Sequence, residues 1–177
     1  MEQPGTHSHK PPVAARRLGL GAPTLTVESP AFQPGRPIPA AHAGAHGRSP
    51  ALRIGRLPAN ARELVLLCED PDAPKEKPFV HWIVTGLPAG STELPEGLPP
   101  SGAPLGSGAV QGKNDMGKPG YYGPEPPIGH GVHHYHFQVF AVDEGFEAPA
   151  PLDRDRLIEA LDDHVIAWGE LIGTFER

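Results

Sequence analysis

Residues 63–74 read Glu63-Leu64-Val65-Leu66-Leu67-Cys68-Glu69-Asp70-Pro71-Asp72-Ala73-Pro74, an almost unbroken apolar run that stops at two carboxylates set between prolines. An apolar run without alternation predicts a strand over 63–69 that is buried on both faces. Proline fixes its own φ and disfavours the helical region for the residue before it, so the segment that follows is a stiff turn able to hold a carboxylate in one place. Residues 79–86 predict a second central strand, and the two strands bracket the loop at 70–78. Farther out, 133–143 alternates: Tyr135, Phe137 and Val139 share a face with His133, while His134, His136 and Gln138 share the other. Short strands are predicted over 24–28 and 51–55, and a long Gly/Pro/Ser-rich loop over 87–120. Leu157, Leu161, Val165, Trp168 and Ile172 recur at helical spacing behind Asp153 as a candidate cap, which predicts a C-terminal helix. Residues 1–22 have no apolar period and are expected to be a flexible tail ahead of a single domain at 23–177.

Composition narrows the class. Twenty-two glycines and 24 prolines in 177 residues describe short elements joined by shaped turns, not a helical bundle. Fifteen basic against 21 acidic residues give a formal charge of -6, which removes the counterion-release drive for nucleic-acid binding. The longest apolar run, residues 64–68, is far below the roughly 18–20 residues of a membrane-spanning helix. No secretory signal pattern is read at the N-terminus, and a cytoplasmic setting is expected. The single cysteine, Cys68, excludes an intrachain disulfide and reads as a buried thiol.

The familiar catalytic signatures are missing. No serine sits in Gly-x-Ser-x-Gly and no His-Glu-x-x-His occurs; Gly112-Lys113 has Ser107 where a phosphate loop needs glycine and Asn114 after the lysine. Two blocks carry candidate chemistry instead. In the first, Asp70-Pro71-Asp72-Ala73-Pro74 precedes Val80-His81-Trp82; taken alone it is most simply a tight turn with aspartate hydrogen-bonding its own backbone. In the second, Gly123-Pro124-Glu125-Pro126-Pro127 leads into His133-His134-Tyr135, where an imidazole and a phenol on one strand face can both donate to an anion. A metal site built from His130, His133, His134 and His136 is disfavoured, because strand alternation points His133 away from His134 and His136.

In order and spacing, these blocks resemble the phosphatidylethanolamine-binding protein family, also called Raf-kinase-inhibitor-like proteins. Ser29-Pro30-Ala31-Phe32, Pro37-Ile38-Pro39, Ser49-Pro50-Ala51-Leu52 and Gly112-Lys113-Asn114-Asp115 resemble its bacterial and archaeal branch, and the likeness runs from about residue 25 to the end. The resemblance implies a mainly β fold, in which a large, mostly antiparallel sheet packs with a smaller one, plus a C-terminal helix. It also implies a small-anion pocket at one end of the sheet, with Asp70, His81, His133 and Tyr135 as ligand-binding residues and Pro71, Gly123 and Pro126 in its wall. Where the family often has arginine this protein has His134, which by parity faces away from the pocket, and Glu125 adds negative charge at the rim. The expected function is non-enzymatic binding of phosphate or a phosphorylated headgroup, without cofactor or metal, and regulation of a partner such as a kinase or protease. No nucleic acid is expected; a homodimer is one arrangement considered. The alternative is a hydrolase of a small ester or phosphoester, with Asp70 and His81 or His133 as the acid-base pair. Imidazoles in the pocket predict anion affinity that falls from about pH 6 to 8.

Overall fold

The computed structural model describes residues 10–177. Eight strands form two antiparallel sheets: β1 (Thr26–Glu28), β2 (Leu52–Gly55) and β5 (Glu93–Leu94) in the order β1-β2-β5, and β3 (Glu63–Asp70), β4 (Phe79–Pro88), β6 (Val110–Gln111), β7 (His133–Val142) and β8 (Val165–Phe175) in the order β6-β4-β3-β7-β8. The apolar run at 63–69 becomes the middle strand of the large sheet, which accounts for its lack of alternation. Leu64, Leu66 and Cys68 face a core shared with the small sheet, together with Val27, Leu52, Phe137 and Val139. Val65 and Leu67 face the opposite side, where Phe140, Leu157 and Leu161 cover them. The mainly β, two-sheet architecture is therefore the one expected, and the long loop at 87–120 contains the two short strands β5 and β6.

Beyond residue 150 the backbone differs from expectation. Helix α2 occupies only Arg154–Leu161, capped by Asp153, whose carboxylate accepts from the Arg156 N–H at 3.0 Å. Asp163 then adopts φ 62°, and the rest of the apolar stripe is β8, paired with β7 from His133↔Phe175 to Val142↔Val165. Residues four apart share a face in a helix and in a strand alike, which suits Leu161 with Val165 and Trp168 with Ile172 to both readings; the three-residue step from Val165 to Trp168 is absorbed in the strand by a bulge, where Val142↔Val165 is followed by Ala141↔Ala167. The deciding partner is the long open edge of β7. Gly169 and Gly173, at positions that would kink a helix, allow close packing in β8 instead: a Cβ on Gly169 would lie 2.3 Å from the Leu25 carbonyl oxygen.

A second correction concerns the tail. Residues 1–9 lie outside the described residues, but residues 10–22 are not a free tail. They lie across the outer face of the large sheet with a short helix, α1 (Ala14–Arg17), in which Ala14 and Ala15 are buried. The buried carboxylate of Glu69 accepts from the Ala14 N–H and, at 2.6 Å, from Arg154 Nε; Gln138 Oε1 accepts from Ala15 N–H at 2.9 Å. Two alanines let the backbone of this arm approach buried polar groups that no hydrophobic pattern reports, and Leu18 and Leu20 pack against the same core beside them.

Candidate functional site

The end of β3 lies beside the start of β4 and the start of β7, because β3 is antiparallel to both. This brings Asp70, Phe79, His81, His133 and Tyr135 to one end of the sheet. Along β4, Trp82 pairs with Cys68 and Val80 with Glu69, leaving His81 as the extra residue of a β-bulge. Strict alternation would put His81 and Trp82 on opposite faces; the bulge turns both toward the side of Tyr135. His81 meets the Tyr135 ring edge-on at 5.0 Å between centroids and packs on Phe79 at 4.7 Å.

These side chains line a cavity of about 250 Å³, closed by Pro74 and Lys75 on one side, by Tyr122, Glu125, Pro126 and Pro127 on another, and by Met116 from the long loop. Asp70, 3% exposed, accepts from Asp72 N–H at 2.7 Å on Oδ1 and meets His133 Nδ1 at 2.7 Å on Oδ2. His133 Nε2 meets Nδ1 of the exposed His130 at 2.6 Å. His81 Nδ1 donates to the Tyr122 carbonyl at 2.6 Å. The Tyr122 hydroxyl donates to Glu125. The Tyr135 hydroxyl is buried and has no hydrogen-bond partner among the described residues.

Burial dominates the electrostatics. It pushes the His81 imidazole down to about 4, against the opposing pull of the Tyr122 carbonyl, so the ring is neutral at physiological pH. Burial also raises the Asp70 carboxyl, an effect the His133 and Asp72 hydrogen bonds oppose. Tyr135 is raised by burial and then by the Asp70 charge, so its hydroxyl is a donor at any ordinary pH. Tyr122 rises to about 12, first through desolvation and then through Glu125. The expectation of anion capture by protonated imidazole therefore fails at His81, where the buried ring offers a lone pair instead.

Of the seven residues singled out in the sequence, Asp70, His81, Pro126, His133 and Tyr135 meet at this cavity. Pro71 faces neighbouring clefts with Lys10. Gly123 packs against the 42–44 backbone, where a Cβ would come within 2.2 Å of the His42 carbonyl oxygen. His134 turns to the other face, as parity requires, and binds Asp72 Oδ2 through Nδ1 at 2.8 Å. Tyr122 belongs to the stretch Tyr121-Tyr122-Gly123-Pro124 that opens the second block, though the sequence assigns it no role there; Phe79 and Lys75 are additions that sequence reasoning misses, and the position of Phe79 two residues before His81 does not betray a shared cavity. Among the described residues no three His, Cys, Asp or Glu side chains are grouped to hold a metal ion.

The family model for phosphatidylethanolamine-binding protein matches residues 28–176. The protein is 46% identical over 132 residues to the UPF0098 protein of Pyrococcus horikoshii, a match covering 73% of its own length and 65% of the relative's, so it spans just under two thirds of that relative. A crystal structure of a phosphatidylethanolamine-binding protein homolog from Chlamydia trachomatis superposes with a TM-score of 0.76 at 36% identity, over 88% of this protein and 99% of that one. E. coli YbcL, described as a member of the mammalian family, gives a TM-score of 0.78 at 30% identity, over 86% and 98%.

Proposed function

The protein belongs to the phosphatidylethanolamine-binding protein family, and on that premise we propose that it is a non-enzymatic binder of a small anionic group, a phosphate or phosphorylated headgroup, held in the cavity of Asp70, His81, His133 and Tyr135. The observation that carries this reading is the Tyr135 hydroxyl, buried on the wall of the cavity with no partner among the described residues. Buried donors are ordinarily paired, and an unpaired one beside a cavity is supported best by a ligand that accepts from it. The proposal extends to a cytoplasmic setting and to regulation of a partner enzyme such as a kinase or protease; a ligand-dependent outer surface would supply that contact. Calorimetric titration with inorganic phosphate, with amide NMR shifts mapped in parallel, tests the binding reading. Shifts gathered at Asp70, His81, His133 and Tyr135 support it; saturable binding elsewhere, or none at millimolar phosphate, removes it.

A second reading is favoured by one observation, the Asp70–His133 contact at 2.7 Å, which suits an acid-base pair for hydrolysis of a small ester or phosphoester. No nucleophile with an oriented base stands beside it among the described residues. A turnover screen on ester and phosphoester libraries, repeated with His81→Ala, separates the two: turnover lost in the variant would replace binding by catalysis.

A further inference from the structure

We infer that the cavity takes an oxyanion carrying one proton of its own, the monoanion of a phosphate monoester or an equivalent acid, and turns away an unprotonated oxyanion of the same size and charge. This rests on the reading of the cavity as an oxyanion site and concerns which chemical form enters it.

The hydrogen-bonding capacity of the walls decides the matter. His81 uses its Nδ1 proton on the Tyr122 carbonyl, so a neutral ring leaves Nε2 with a lone pair and no proton. His133 has both ring nitrogens committed, Nδ1 to Asp70 and Nε2 to His130. Tyr135 retains a free hydroxyl among the described residues. Of the buried rings in the wall, Tyr135 thus presents a free donor and His81 a free acceptor, while the exposed Lys75 at the rim keeps donors beyond the one it gives to Asp115. A ligand that satisfies both brings an acceptor oxygen for the phenol and a hydroxyl for the imidazole, as P–O⁻ and P–OH of a phosphate monoanion do. A fully ionised group would set lone pair against lone pair at His81, leaving a buried polar atom unpaired at a cost of about 1–3 kcal/mol, or roughly fivefold to a little over a hundredfold in affinity.

Charge acts in the same direction. From the end of β3, His81 is faced by Asp70, and from the loop after it by Lys75; from β7, by His133 and Tyr135; from the opposite wall, by Tyr122 and Glu125; and Asp115 acts on it from the long loop. Lys75 is the one lysine or arginine among the described residues of the cavity wall, and its charge is taken by Asp115 at 2.7 Å. Glu125 is paired in turn with Arg177 at 3.9 Å and Asp70 with His133 at 2.7 Å, so among the described residues the wall offers no unpaired lysine or arginine to reward each additional negative charge on a ligand. With burial holding His81 neutral, the protein has no imidazolium there to offset a dianion.

Methyl phosphate and methyl sulfate make the comparison clean. At about pH 5 both are monoanions of nearly the same shape, and only the phosphate carries a hydroxyl; its second ionisation lies near pH 6. Calorimetric titration of the full-length protein with each, from about pH 5 to 8, is expected to give at least about fivefold tighter binding of methyl phosphate at the acid end. That affinity should then fall by nearly tenfold per pH unit above the second ionisation. Methyl sulfate, which does not titrate, reports any titration of the protein and corrects for it. In His81→Gln the side-chain amide can turn its NH₂ toward the ligand, and the preference should shrink to within about threefold. Equal binding of the two probes by the parent protein, or tighter binding of the methyl phosphate dianion, overturns the inference and leaves the oxyanion site standing. Failure of both probes to bind at millimolar concentration overturns the site itself, and with it the inference.

Discussion

Replacing Tyr135 with Phe should move stability and affinity in opposite directions. Tyr135 is 1% exposed and its hydroxyl has no partner among the described residues, so the folded state bears the desolvation of a polar group without a compensating bond. That cost is about 1–3 kcal/mol for a sealed site. Tyr135 also lines the cavity of about 250 Å³, where the surroundings can relax, so the low end of that range applies and we expect the substitution to stabilise by about 1 kcal/mol. In a domain of this size that raises Tm by about 2–4 °C. The ring still packs against His81 and the core, so no void is created. Affinity should fall instead, because a hydrogen bond to a charged acceptor contributes about 1.5–3 kcal/mol, or between tenfold and a hundredfold in Kd. Urea unfolding without ligand, paired with calorimetric titration of phosphate, measures both. A variant that loses stability, or one that binds phosphate as tightly as the parent, would refute the role given to the hydroxyl.

Deleting residues 1–22 should lower stability by about 3 kcal/mol or more, and Tm by roughly 6 °C or more, because the Ala14 and Ala15 donors to buried Glu69 and Gln138 are removed; an unchanged melting curve would return the arm to the status of a free tail. His81 has a folded-state value of about 4 against 6.5 for the free side chain, so the unfolded state binds the proton first: stability is unaffected above about pH 6.5, declines as pH falls below it, and levels off below about pH 4. Denaturant titrations near pH 7 and 4.5 should show a loss of about 2–3 kcal/mol in the parent that is absent in His81→Gln; equal losses would sink this assignment. Gly123→Ala forces a Cβ into the 42–44 backbone and should cost about 2 kcal/mol or more of stability while leaving the cavity lining in place, so phosphate affinity measured well below Tm should change little.

What could be read before folding is what local chemistry dictates. The apolar run at 63–69 could only be a central strand, and the alternation at 133–143 correctly separated His133 and Tyr135 from His134. The prolines after Asp70 announced a rigid carboxylate at a strand end, and the paired Asp70 and His133 blocks located the end of the sheet where the cavity lies. Each of these depends on residues adjacent in sequence or repeating with a fixed period, and such signals survive in one dimension.

Tertiary structure decided the rest. Whether the last apolar stripe continued as a helix depended on an open strand edge on β7, because its four-residue steps are compatible with both geometries and its one three-residue step is taken up by a bulge. The docking of residues 10–22 depended on Glu69 and Gln138, polar side chains 55 and 123 residues away from the alanines they hold, whose pairing no hydrophobic pattern encodes. His81 reaches the cavity only because a bulge breaks alternation, and its loss of charge comes from walls contributed by separate segments of the sequence. Pro71 and Gly123 carry the look of site residues in sequence, yet one faces a neighbouring cleft and the other lies under the His42 backbone. Identity and spacing specify which groups are available; which lone pairs and protons remain free at the cavity is set by the partners that folding brings to every other atom.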